Sequence, residues 1–289
     1  MIRALPIVVG YCPGSHAQEA LSWAVRESGH LGLPLVVLFA ADYPGMATAP
    51  GPGMPARDPG ALDAAHEVTA RGVLDAQQRD RRITVHGRTL VTSATRSLIE
   101  ASPQASMIVV GSRGRGPVRG AMLGSVSRSV PARAHCPVVV VPPGTAAKVV
   151  GPECRVTVGT DGSRVSMLAV DHAAAIAASR SAPLDVICCT GGASPIPLTS
   201  DQAHGILSRV EQDMSRSHPD LQLTTRMVPS SPQAALIAAS EESGLVVVGS
   251  RGRGALEQVI LGSVSASVIR DASSPVGVVG APRPGTPPS

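Results

Sequence analysis

Two stretches of this chain carry residues spaced for one kind of chemistry. GSRGRGPVRGAMLGSVS begins at Gly111 and GSRGRGALEQVILGSVS begins at Gly249. Both ends agree letter for letter, while the middle residues, 117–122 and 255–260, share nothing. The common spacing is G-x2-G-x9-G-S, set by Gly111, Gly114, Gly124 and Ser125, and again by Gly249, Gly252, Gly262 and Ser263. Glycines let backbone N–H groups approach an anion with no Cβ in the way. The closing Gly-Ser stands where SVSRSV and SVSASV can start a helix, whose unpaired N–H groups and dipole favour negative charge. Phosphate binding is the chemistry this supports, with fixed ends that grip and a free middle that covers.

The candidate residues are Gly111, Ser112, Arg113, Gly114, Arg115, Gly116, Gly124, Ser125 and Val126 in the first stretch. Their counterparts are Gly249, Ser250, Arg251, Gly252, Arg253, Gly254, Gly262, Ser263 and Val264. The arginines either neutralise phosphate charge or form a solvated loop surface. A glycine-rich turn followed by a helix-capping serine is the plain alternative for one copy; repetition around a divergent middle argues against it. The pattern is not the Walker loop, which ends in Gly-Lys-Ser/Thr, because the single lysine, Lys148, lies in neither stretch. Nor is it the dinucleotide fingerprint, which follows the first strand of its unit.

The elements that must position these loops repeat as well. LPIVVG (5–10) matches CRVTVG (154–159), LPLVVLFA (33–40) matches APLDVICC (182–189), and CPVVVVP (136–142) matches SPVGVVG (274–280). Short Val/Ile/Leu runs bounded by Gly or Pro alternate with Ala-rich stretches of helical length. Runs such as MIVVG and LVVVG are apolar on both alternating faces, as strands buried between two helix layers must be. The spacing predicts strands near residues 5, 35, 83, 107 and 138, and helices over 16–31, 63–81 and 125–134. The fold class is therefore α/β: two tandem copies of a doubly wound, five-stranded parallel sheet with helices on both faces. The expected units are residues 1–144 and 154–282, joined by a linker at 145–153 and followed by a disordered tail at 283–289.

Composition narrows the partners. In 289 residues there are one Trp, two Tyr and one Phe, so the core must be aliphatic and no stacking platform for single-stranded nucleic acid exists. The net charge of +4 is carried by dispersed arginines, which makes nucleic acid an unpromising partner. No apolar run reaches the roughly 18 residues of a membrane span, and the opening MIRALPIVVG is too short for a signal-peptide core. A cytoplasmic protein with no membrane contact is expected. The five cysteines form no C-x-x-C and the eight histidines no metal-binding pattern, so neither a disulfide framework nor a metal site is expected.

VVGSRGRG…LGSVS after a buried strand, with VGTDGS opening the second copy, resembles the universal stress protein family, in its tandem, ATP-binding form. The resemblance covers essentially the whole chain. It implies strand order 3-2-1-4-5 in each copy and ATP between the ends of the first and fourth strands, with or without Mg2+. It also implies pairing through the last strands, PVVVV and PVGVV, which sets the two halves of one chain side by side as a pseudo-twofold unit, and a homodimer through last-strand pairing. The family's Asp at the end of the first strand, a nucleoside contact, corresponds to Asp161, with Gly159 before it permitting close approach of the nucleotide; Gly10 is the equivalent glycine of the first copy. An Asx-type turn in TDGS is the alternative for Asp161. Cys12 stands where Asp161 does, so the first site lacks that carboxylate, unless Asp42 supplies one from another direction.

The resulting expectation is an ATP-binding regulatory protein with little or no hydrolysis, its second site tighter than its first. The rival, an ATPase or ATP pyrophosphatase, is disfavoured because S-G-G-x-D-S is missing, no lysine reaches the phosphates and no base is fixed beside either loop. A dimerisation module that binds nothing would not need both glycine stretches intact.

Overall fold

The computed structural model describes residues 4–41, 59–112, 123–192, 197–253 and 261–281. Of the expected site residues and segments, Asp42, Arg113, Gly114, Arg115, Gly116, Gly254 and the tail at 283–289 lie outside the described residues. The first copy runs β1 (Ile7–Gly10), α1 (Ser15–Leu31), β2 (Leu35–Ala40), α2 (Pro59–Arg79), β3 (Val85–Leu90), α3 (Ala94–Ala101), β4 (Met107–Gly111), α4 (Ser125–Arg133) and β5 (Val138–Val141). The second runs β6 (Arg155–Thr160), α5 (Arg164–Ser179), β7 (Leu184–Cys189), α6 (Ser200–Ser217), β8 (Leu223–Val228), α7 (Pro232–Ala239), β9 (Ser243–Gly249), α8 (Ser263–Asp271) and β10 (Val276–Val279).

Local chemistry sets the helix ends. The Ser93 and Ser231 side chains cap α3 and α7 by accepting from backbone N–H groups of the first turn, and Thr199 and Gln202 cap α6 reciprocally. Helix α1 stops at Gly32, whose φ of 64° is the left-handed closure that glycine adopts without strain.

The strands lie in the order β3-β2-β1-β4-β5-β10-β9-β6-β7-β8, so each copy has the expected order and the two join into one ten-stranded sheet. Every pairing is parallel except the junction, where β5 and β10 run antiparallel with Val138 opposite Val278 and Val140 opposite Val276. The all-valine β5 is buried along its length because both its edges are paired within the chain. The same holds for β10. The expected pairing through the last strands thus joins the two halves of one chain, and with both edges of β5 and β10 filled, the expected homodimer has no last-strand edge to pair through.

Alternate side chains of the strands feed two helix layers. Val9, Val37, Val109 and Val158 face α1, α2, α5 and α6, in a core that crosses the junction through Val139, Val141 and Val279. Val8, Ile108, Val246 and Val278 face α3, α4, α7 and α8. The segment expected as a linker is packed down rather than extended: Thr145, Ala146 and Val150 are buried. Ala146 N–H donates to Glu19 Oε2 at 3.1 Å, and Lys148 Nζ donates to the Ser240 carbonyl at 2.9 Å. An ion pair between Glu27 of α1 and Arg180, just past α5, ties the two copies together, with side chains only 6% and 8% exposed. Among the described residues, no helix is long and apolar enough to cross a membrane.

Candidate functional site

In an open α/β sheet the ligand crevice lies beyond the carboxyl ends of strands where the winding reverses. In the second copy that point falls between β6 and β9, which are neighbours in the sheet although far apart in sequence. A cavity of about 620 Å3 opens there, within the roughly 300–1,000 Å3 of small-molecule sites. Of the expected residues, Gly159, Asp161, Gly249, Arg251, Gly252 and Arg253 line it, as do Gly262, Ser263 and Val264.

One wall is the start of α8. Its N-cap is Gly262 and no side chain caps it, so Ser263 is the first helical residue rather than a cap. The N–H groups of that first turn precede the first intrahelical donor, Ala266, which bonds the Gly262 carbonyl at 2.9 Å. They face the cavity with the positive end of the helix dipole behind them.

The glycine loop is held by bonds that the sequence did not reveal. Ser250 N–H donates to the Val279 carbonyl at 2.7 Å and Gly262 N–H donates to the Ser250 carbonyl at 2.9 Å. The Ser265 hydroxyl donates to the Gly249 carbonyl at 2.7 Å. Ser250 is thus buried and does not line the cavity, which corrects its expected role as a ligand contact; the loop needs its backbone. Ser265 was overlooked, although the identical GSVS ends contained it.

Gly159 lines the cavity and also has a packing reason to be small. A Cβ there would lie 2.7 Å from Leu236 Cδ1, so the missing side chain admits Leu236 of α7, which lines the cavity beside it. Gly10 repeats this arrangement against Leu98 of α3, at 3.2 Å.

Asp161 combines both readings offered for it. Its Oδ1 accepts from Ser163 N–H at 3.0 Å, an Asx turn, and its Oδ2 accepts from Arg253 N–H at 2.8 Å while the residue lines the cavity. Burial alone would push its carboxyl up. Hydrogen bonds from Ser163, Ser166 and the Arg253 amide outweigh that and hold it below the usual carboxylate range. A Cβ on Gly252 would stand 2.5 Å from Asp161 Oδ2, so the carboxylate is one reason for that glycine.

The far end of the cavity is less polar. Ile187, Cys189 and Thr190 come from the end of β7, Pro197 and Leu198 precede α6, and Gln233 belongs to the first turn of α7. None of these was legible as a site residue, because each looks like ordinary strand or helix composition. Burial pushes the Cys189 thiol up to about 11, so it lines the wall as a neutral group. Among the described residues, Asp161 is the lone carboxylate lining the cavity, and no group of three or more metal-ligating side chains occurs.

The first copy repeats the framework. Ser112 N–H donates to the Val141 carbonyl at 3.1 Å, Gly124 N–H to the Ser112 carbonyl at 3.2 Å, and the Ser127 hydroxyl to that same carbonyl at 2.8 Å. Gly111 ends β4, Ser125 and Val126 start α4, and Ser112 is buried like Ser250. The end of β1 departs from the pattern. Tyr11, in the place of Thr160, is buried and donates its hydroxyl to Asp75 Oδ2 at 3.2 Å, and Gln18 Nε2 donates to the same oxygen at 2.8 Å. Cys12 follows, half-buried and packed against the aliphatic core.

Comparison with known proteins matches this duplicated architecture. A profile of the universal stress protein family fits residues 5–142 and again 154–280. A universal stress protein of Mycobacterium tuberculosis (strain H37Rv) is 32% identical over 288 residues, covering 94% of this chain and 95% of that protein. One from Mycolicibacterium smegmatis is 32% identical over 288 residues, covering 94% and 96%. Among solved structures, a universal stress protein from Archaeoglobus fulgidus superimposes with a TM-score of 0.72 at 21% identity, covering 94% of this chain and 97% of that one.

Proposed function

The chain belongs to the universal stress protein family as a tandem of two copies, and from that premise we propose that it is an ATP-binding regulatory protein. One observation carries the proposal: a cavity of about 620 Å3 at the ends of β6 and β9, bounded by the glycine loop and the uncapped start of α8. The phosphates lie against α8 and the N–H groups of the loop, where Arg251 and Arg253 add positive charge. The nucleoside extends toward Ile187, Leu198 and Gln233, whose apolar surface and single amide suit a planar base. A divalent ion would enter with the phosphates, since among the described lining residues Asp161 is the single carboxylate.

Turnover is slow in this reading. The sole lysine is engaged by the Ser240 carbonyl. Among the described residues no histidine lines the cavity, and Asp161, held below the usual carboxylate range, is a poor general base. Occupancy rather than chemistry is the output. The first site, with Cys12 in place of a carboxylate, is the weaker one.

Titration of the full chain with ATP, alongside phosphate release, tests the reading. Binding with hydrolysis far below the ordinary enzyme median of roughly 10 per second is expected. Release near that median would make the protein an ATPase instead.

A further inference from the structure

Three hydrogen bonds fix the root of the second glycine loop, at Gly249, Ser250 and Gly262. The tip is fixed differently. Arg253 N–H donates to Asp161 Oδ2 at 2.8 Å, and Gly252 sits so close to that oxygen that a Cβ would stand 2.5 Å from it. The carboxylate itself is held by its second oxygen, which accepts from Ser163 N–H at 3.0 Å. Asp161 therefore bridges the end of β6 to the loop that follows β9.

Resting on the nucleotide reading above, we propose that Asp161 is a positioning residue for the phosphate loop: its carboxylate holds Gly252 and Arg253 so that the loop meets a polyphosphate. Its effect then appears at the phosphate end of the ligand rather than at the nucleoside. The discrimination between a nucleoside triphosphate and the bare nucleoside depends on it. Cys12, the equivalent residue of the first copy, carries no carboxylate to do the same.

The test compares the full chain with Asp161→Ala and Asp161→Asn, using ATP and adenosine as calorimetric probes. Amide hydrogen exchange of residues 250–253 is followed without nucleotide. A hydrogen bond to a charged group corresponds to roughly ten- to hundredfold in affinity, so Asp161→Ala should weaken ATP by about that factor and leave adenosine unchanged. Exchange at 252–253 should accelerate, and Asp161→Asn, which keeps one acceptor oxygen, should recover part of the ATP affinity. Thermal melting checks that each variant is folded, and if the alanine variant is not, the asparagine variant carries the comparison. Equal losses for ATP and adenosine would overturn the proposal in favour of a nucleoside contact. Unchanged exchange at 252–253 would overturn it as well. If the unsubstituted chain binds neither probe, it is the nucleotide reading that fails, and the exchange measurement still decides whether Asp161 holds the loop.

Discussion

Asp161 and Arg253 join the ends of two neighbouring strands: the Arg253 N–H donates to Asp161 Oδ2 at 2.8 Å, across the mouth of the cavity. Gly252 lies directly beneath this bond. Gly252→Val puts a branched side chain where a Cβ alone would stand 2.5 Å from the carboxylate oxygen. Either the loop or the carboxylate that holds it must shift, and ATP binding at the second site should fall below detection while the first site is unaffected. Calorimetry on the variant checks this, and an ATP affinity equal to that of the unsubstituted chain would refute the phosphate role of the loop.

The two sites should titrate separately. They share their glycine spacing and the backbone hydrogen bonds at the loop root, but Asp161 is answered by Cys12. A charged hydrogen-bond partner contributes about 1.5–3 kcal/mol, which at about 1.4 kcal/mol per tenfold is roughly a ten- to hundredfold difference in affinity. A two-site isotherm with that gap is the expected outcome. Two equal sites would mean that another residue of the first copy replaces the carboxylate.

The fold was legible where burial on both faces left only one kind of residue possible. VVVV of β5 and LVVV of β9 read as central strands because no polar face is present. The start of α2 at Pro59 rather than Asp63 follows from proline's tolerance at the first helical turn. The glycines were harder. Spacing signals that something comes close, but not what: for Gly159 it is Leu236, from a helix more than seventy residues away in sequence. Ser250 was read as a ligand contact because it sits inside the motif, whereas its backbone closes the loop on β10. The nonpolar end of the cavity was invisible because Ile187, Leu198 and Gln233 acquire meaning only when three elements converge.

The junction between the copies should be sensitive to a single charge. Glu27 and Arg180 are both nearly buried, the pair is made through Arg180 Nη2, and Arg180 Nε has no hydrogen-bond partner among the described residues. Glu27→Ala leaves the guanidinium buried and unpaired, a change that costs about 3–5 kcal/mol. Glu100→Ala, which breaks the exposed pair with Arg96, should leave the unfolding midpoint almost unchanged. Urea unfolding of the two variants checks the contrast; similar small losses would show that the buried pair does not hold the copies together.

Acid should weaken the fold before the carboxylates titrate. Burial pushes the half-buried His172 imidazole down to about 4, below its ordinary 6.5. Between those values the unfolded chain binds a proton that the folded chain does not, so stability falls as the pH drops through that window. Melting temperature measured from pH 7 to pH 4 should decline, and His172→Gln should flatten the decline. A slope unchanged by the substitution would assign the acid sensitivity to another group.

Calorimetric titration of the intact 289-residue chain with ATP, before and after Gly252→Val, bears on the central claim most directly. The account predicts saturable ATP binding, with the tighter phase removed by the substitution and the weaker one kept. No heat of binding to the unsubstituted chain, or a tight phase that survives the valine, would contradict it.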